Sequence, residues 1–268
     1  MKKHPYLQYL FLIVLSTLFI SCKETTNYQY IVNLPQHFQG APVVFMLHGY
    51  GSSAENFKAD THFEQEANAR GYAVIYLTST DAGWSAGAGA DKNDDVKAIC
   101  ALAKSIQKEF HFDKKRMYVA GFSNGGFMTH RLVVEGKGTF AGGICVAGDM
   151  SKTVWKSRKS KTKVSFFQIS GEKDDAVPKI SNGTAKYAYD PAIEDVMEYY
   201  ATSNRLNFDA PEVQQIGYGS TLTKYTGDKS KNQVWHLLVK DGHHAWPSVT
   251  FNNIETNNLI LDFLDTQK

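Results

Sequence analysis

The residue types needed for nucleophilic catalysis stand at the ends of apolar runs in this chain. Ser123 lies at the centre of "GFSNGG" (121–126), a G-x-S-x-G element. A serine hydroxyl is a weak nucleophile at neutral pH. It needs a base, and the base needs a partner that fixes its tautomer and stabilises its charged form. Downstream, "SFFQISGEKDDAVP" presents Asp174 and Asp175, and "VWHLLVKDGHHAWP" presents His243 and His244. Serine, acid, histidine is one of the chain orders in which such a triad occurs. The flanking glycines fit a sharp strand-to-helix turn, where backbones come too close for side chains. "RMYVAG" supplies the strand before Ser123, and "GGFMTHRLVV" a helix after it.

Apolar runs of strand length recur at 28–34, 42–49, 72–79, 116–123, 142–148, 163–171 and 233–242. Most are continuous rather than alternating, as expected of strands buried on both faces of a largely parallel sheet. Between them, 93–110 places Val96, Ile99, Ala103, Ile106 and Phe110 on one helical face, with Asn93 or Asp94 available as N-cap. The stretch 190–204 is expected to start a helix with Asp190 as cap and Pro191 at the first position. A last helix is expected over 252–265. Alternating strand and helix implies an α/β sheet with helices on both faces. The stretches 81–93 and 179–190 are the least regular and read as loops over a site.

A chain of 268 residues with 43% hydrophobic composition can bury one large core. Its near-balanced charge of +2 argues against nucleic acid as the main partner. The opening "MKKHPYLQYLFLIVLSTLFISCKETTN" combines Lys2 and Lys3, an apolar run too short to span a bilayer, and a terminal Ser21-Cys22. It reads as a signal peptide over 1–21 with "LFISC" resembling a bacterial lipobox. On that reading Cys22 carries the lipid, 22–27 forms a tether, and 28–268 is the catalytic domain. Lipid anchoring would hold the enzyme on a membrane of the cell envelope, outside the cytoplasm, with its domain in water. Cys100 and Cys145 sit in apolar runs and read as buried free thiols.

Taken in order, "LHGYGSS", "GWSAG" with "NDDV", "GFSNGG", "GEKDDAVP" and "GHHAWP" resemble the polyhydroxybutyrate depolymerase and feruloyl or acetyl-xylan esterase group of α/β-hydrolases. The resemblance runs from about Tyr28 to Phe263. It implies an α/β-hydrolase fold with a mostly parallel central sheet, a serine esterase activity and no cofactor. The group's G-x-x-D-x-x-V-P pattern falls on Gly171, Asp174, Val177 and Pro178, which points to Asp174 as the acid. Its H-x-W-P pattern falls on His244, Ala245, Trp246 and Pro247, which points to His244 as the base. His243 stands where relatives often have glycine. The fold also implies an oxyanion hole built from the backbone N–H groups of Asn124 and Tyr50. His48, beside it, reads as a structural tie. Trp84 and Trp246 could line a substrate pocket, since sugar rings and phenolic acids bind well on aromatic faces. The alternative for Trp246 is a wedge that positions the His244 loop.

Nine histidines raise the question of a metal, but H-E-x-x-H and C-x-x-C spacings are missing from the sequence, and the reading assigns no metal. "GAGADKN" lacks the G-K-[ST] ending of a phosphate loop. The basic run 152–163 reads as a solvated loop, with attraction to acidic polysaccharide or anionic lipid as the sharper alternative. Feruloyl or acetyl esters of polysaccharides or their oligomers are the expected substrates. Polyhydroxyalkanoate or other aliphatic esters come next. A prolyl-oligopeptidase-like peptidase uses the same triad and usually carries an added propeller or lid, for which no room is expected here. A catalytically silent binding protein is the remaining alternative.

Overall fold

The computed structural model describes residues 28–89, 91–177, 191–228 and 230–267. The expected signal peptide, Cys22 and its tether, together with Pro178, Asp190 and the 179–190 loop, lie outside the described residues. In chain order the elements are β1 (Gln29–Asn33), β2 (Val43–Leu47), α1 (Ala54–Thr61), α2 (Phe63–Ala69), β3 (Ala73–Thr78), α3 (Asp95–Phe110), β4 (Met117–Phe122), α4 (Asn124–Glu135), β5 (Gly142–Val146), α5 (Lys152–Ser157), β6 (Ser165–Gly171), α6 (Ile193–Ser203), β7 (Glu212–Ile216), β8 (Ser220–Tyr225), β9 (Val234–Val239), α7 (Val249–Asn252) and α8 (Thr256–Asp265).

Among the described residues the strands form one sheet in the order β1-β3-β2-β4-β5-β6-β9-β8-β7. The span from β3 to β9 is parallel, while β1, β8 and β7 run antiparallel at the two edges. Successive strand side chains point to opposite faces, so a continuous apolar run feeds two cores at once. Val43, Phe45 and Leu47 of β2 join one core with residues of α3, α4 and α6; Val44 and Met46 join the other, with α1, α2 and α8. The order in which strands are added reverses at β2, with β3 placed on one side of it and β4 on the other. The loops beyond the carboxyl ends of these strands meet at such a switch point, where open α/β sheets bind ligands.

The seven expected strands all form. The hairpin β7–β8 was not legible, because β7 is mostly exposed and carries no apolar run. Helices α1 and α2 were also missed; they are short and flank His62, which adopts the left-handed region with φ 47°. Helix α3 forms as expected, capped by the Asp94 side chain, which accepts from Lys97 N–H at 3.1 Å. Helix α6 starts later than expected, with Ala192 as N-cap and Pro191 outside it. The closing helix starts later than expected: α8 begins at Thr256, and Asn252 ends the separate short helix α7, whose C-cap Asn253 has φ 52°. The basic run is not all loop, since 152–157 is α5, and Arg158 stacks 3.3 Å over the Trp155 ring. Cys100 and Cys145 are buried free thiols.

Beneath the Ser123 turn lies a buried polar network. Gln168 Nε2–H donates to Gly148 C=O at 2.9 Å, which leaves Oε1 to accept from His130 Nε2–H at 3.2 Å. His130 Nδ1 therefore accepts from the Tyr200 hydroxyl at 3.1 Å. Phe166 stacks on both rings, 4.4 Å from each. Burial pushes the His130 pKa down from 6.5 to about 3. The unfolded chain therefore binds a proton that the folded chain refuses, so stability is full above about pH 6.5 and is lost as the pH falls towards the folded value. The expected slope is roughly 1.4 kcal/mol per pH unit from this group. Denaturant titrations across that window should show the loss in the parent chain and a slope shallower by one proton in His130→Gln.

Candidate active site

Five loops at the carboxyl ends of parallel strands build the site. The sharpest turn follows β4. Ser123 is held at φ 52°, ψ −116° between β4 and α4, a conformation costly for any residue with a side chain. Its N–H donates to Val146 C=O at 2.9 Å, which fastens the turn to β5. A methyl group on Gly121 would collide with the Gly125 carbonyl, and one on Gly125 with the Leu47 carbonyl. Glycine at both positions lets β4, α4 and β2 approach closely enough to lift Ser123 above the sheet edge.

His244 Nε2 lies 2.8 Å from Ser123 Oγ, and its Nδ1 lies 2.8 Å from Asp174 Oδ2. With the carboxylate accepting from Nδ1–H, Nε2 carries the lone pair and faces the serine hydroxyl. The Asp174 side chain is only 3% exposed. Its second oxygen accepts from the N–H groups of Ala176 at 3.0 Å and Val177 at 2.8 Å. The acid is thereby fixed on both sides. The loops that carry acid and base are themselves joined: Lys173 N–H donates to Gly242 C=O at 2.7 Å. A side chain at Gly171 would press on the carbonyls of Gly242 and His243. The adjacent Asp175 and His243 are exposed, so the geometry selects Asp174 and His244 from each pair.

Tyr50, in the loop after β2, and Asn124, the first residue of α4, line one cleft with Ser123, and each carries a backbone N–H. Among the described residues neither is paired with a protein acceptor. His48, buried below Tyr50, accepts from Ser79 N–H at Nε2 (3.0 Å) and therefore donates from Nδ1 to Gly49 C=O (2.7 Å). Burial lowers its pKa, which suits a neutral structural ring. A cleft of about 480 Å³ opens over Ser123, lined by Tyr50, Asp81, Trp84, Asn124 and Phe127 among others.

Trp84 lines this cleft but is only 4% exposed. Its indole N–H donates to His48 C=O at 2.9 Å, and its ring stacks 6.0 Å from Tyr28. It supports the cleft wall more than it offers a face. The 81–93 stretch does cover the site, and it is tied down at many points. Asp95 accepts from Ser85 N–H at 2.7 Å and from the Tyr28 hydroxyl. Arg131 donates to Ser85 C=O at 2.6 Å and pairs with Asp91 and Glu135. Trp246 lies outside the Ser123 cleft, a correction to its reading as a pocket residue. Its ring packs edge-on against Phe57 at 5.6 Å, and its indole N–H donates to Asn257 at 3.2 Å. These contacts pin the His244 loop against α1 and α8, so the wedge reading holds. The Tyr50 ring was missed: it is 75% exposed on the cleft wall. Sequence gave no signal of that, because exposure depends on the path of the neighbouring loop.

The model of the prolyl oligopeptidase family matches residues 61–189. The chain is 28% identical over 234 residues to "Putative esterase NocK" of Nocardia uniformis subsp. tsuyamanensis, covering 80% of this chain and 67% of that protein. It is 26% identical over 226 residues to feruloyl esterase B of Piromyces equi, covering 80% of this chain and 42% of that protein. Among solved structures, an acetyl xylan esterase from Aspergillus awamori superposes with a TM-score of 0.65 at 15% identity, covering 90% of this chain and 95% of that one. With this sheet order, a strained serine turn after β4, and an aspartate and a histidine after β6 and β9, the chain has the α/β-hydrolase fold. The relatives of known name that it resembles include esterases, among them the feruloyl esterase above.

The backbone at Ser123 yields a stability prediction. Ser123→Gly relieves the positive φ, whereas Ser123→Ala keeps it. In chemical denaturation Ser123→Gly should exceed Ser123→Ala by about 1 kcal/mol. Equal stabilities would mean that the turn stores no strain.

Proposed function

We propose that this chain hydrolyses carboxylic esters through an acyl-serine intermediate, with feruloyl or acetyl esters on polysaccharides or their oligomers as substrates. The observation that carries the reaction is the Ser123–His244–Asp174 relay, two contacts of 2.8 Å each. His244 takes the Ser123 proton as Oγ attacks the ester carbonyl, and Asp174 stabilises the resulting imidazolium. The N–H groups of Tyr50 and Asn124 receive the tetrahedral oxyanion. His244 then gives its proton to the departing alcohol. In the second half, water enters, His244 activates it, and the acid leaves from Ser123.

The substrate class rests on the named relatives, which include a feruloyl esterase and an acetyl xylan esterase. The chain spans under half the length of the former. The cleft is large enough for a ring-bearing group and mixes aromatic with polar walls. A peptidase reading draws support from the prolyl oligopeptidase family match and is the second to test. Export and lipid attachment at Cys22 rest on the N-terminal sequence alone. They would place the domain on an envelope membrane, where soluble oligomers reach it.

A fluorophosphonate probe should label the parent chain and leave Ser123→Ala unlabelled. A panel of methyl ferulate, acetylated xylan, hydroxybutyrate oligomers and a prolyl peptide anilide, ranked by kcat/KM, should put the first two ahead. Faster cleavage of the anilide would transfer the chain to the peptidases. Labelling that persists in Ser123→Ala would remove Ser123 from the mechanism.

A further inference from the structure

The two N–H groups assigned to the oxyanion sit on separate segments. Tyr50 follows β2 and Asn124 opens α4. A third segment, 79–84 after β3, joins them. It binds the Tyr50 segment three times: Ser79 N–H to His48 Nε2 at 3.0 Å, Trp84 Nε1–H to His48 C=O at 2.9 Å, and Gly51 N–H to Ala82 C=O at 2.5 Å. Among the described residues, its hydrogen bonds to the Asn124 segment run through the Asn124 side chain. Asn124 Oδ1 accepts from Trp84 N–H at 2.6 Å, and Asn124 Nδ2 donates to Trp84 C=O at 3.3 Å. A side chain at Gly83 would meet the Tyr50 ring at 2.7 Å and Asn124 Oδ1 at 2.8 Å, so the three segments also touch sterically.

We infer that the Asn124 side chain is a positioning residue that sets the separation of the two oxyanion donors, acting through the backbone of Trp84 on the segment that carries Tyr50. The inference rests on the esterase reading above and deepens it. A primary amide is the group that fits this place. It offers one acceptor and one donor to the N–H and C=O of the same residue, which no charged side chain of similar size does. The donors must meet an oxygen that carries charge only in the transition state, so their spacing governs turnover more than substrate binding. Small displacements at such a site cost large factors in rate.

The test uses the full mature chain with p-nitrophenyl acetate as substrate and phenylboronic acid as a tetrahedral adduct former at Ser123. Asn124→Ala should lower kcat by roughly 10- to 100-fold while KM stays within about threefold, in proportion to the loss seen when a donor is misplaced. The boronate inhibition constant should rise by a factor comparable to the fall in kcat/KM. Trp84→Phe keeps an aromatic ring, though a smaller one, and removes the indole N–H, which loosens the joint at its other end. It should lower kcat less, and its effect should nearly vanish when combined with Asn124→Ala, since the linkage is already open. Full kcat in Asn124→Ala, an unchanged boronate constant, or losses in the double variant that simply multiply would each overturn the inference. Should Asn124→Ala fail to fold, Asn124→Leu, which keeps the volume and removes both bonds to the Trp84 backbone, decides: unchanged kcat and boronate affinity would refute the linkage. A parent chain that neither turns over ester nor takes up fluorophosphonate would instead overturn the esterase reading.

Discussion

The close approach of three backbones at Gly121 and Gly125 is the constraint from which the site follows. Without side chains there, β4 can turn into α4 while pressed against the end of β2, and in that turn Ser123 takes a positive φ. The strain is carried by packing on both sides. Val146 holds the Ser123 N–H, and the His130–Gln168–Gly148 network fills the space beneath. Proteins commonly keep such strain where the chemistry needs a group exposed and fixed. The same turn puts Ser123 immediately before the first residue of α4, so the nucleophile and one proposed oxyanion donor come from adjacent residues.

The remaining parts arrive from far along the chain because the sheet is parallel. Every parallel strand ends on the same edge, so residues separated by 121 positions in sequence, Ser123 and His244, come within 2.8 Å. Neither acid nor base depends on its own loop alone. Lys173 and Gly242 bond across the two loops, and Trp246 wedges the histidine loop onto helices of the second core. The cleft then rests on a third loop, whose many ties to Asp95, Arg131 and His48 make the wall over Ser123 a fixed surface.

Much of this was legible in the sequence, for physical reasons that also mark where legibility ends. Continuous apolar runs gave the parallel strands because burial on both faces demands them. Glycine spacing gave the serine turn because no other residue fits. The pairs Asp174/Asp175 and His243/His244 followed from their places after strand ends, and the resemblance in the flanking patterns chose Asp174 and His244. The β7–β8 hairpin stayed hidden, since an exposed edge hairpin needs no apolar signature. The break at Asn253 was hidden as well, because a left-handed residue inside an otherwise helical pattern leaves no periodic trace. Trp246 misled because an aromatic residue next to a catalytic motif reads alike whether it meets substrate or the protein's own helices. The pairing of Asn124 with Trp84 spans 40 residues and depends on loop paths, so only coordinates could reveal it.

A covalent intermediate on Ser123 is the point at which all of these features must act together. Rapid mixing of the protein with p-nitrophenyl acetate, acid quenching within the first turnover, and intact-mass and peptide analysis would observe it directly. The account predicts one acetyl group per chain, located on the peptide containing Ser123, with a matching burst of p-nitrophenol. Ester turnover with no acetylated protein at any quench time, or with the acetyl group on another residue, would contradict it.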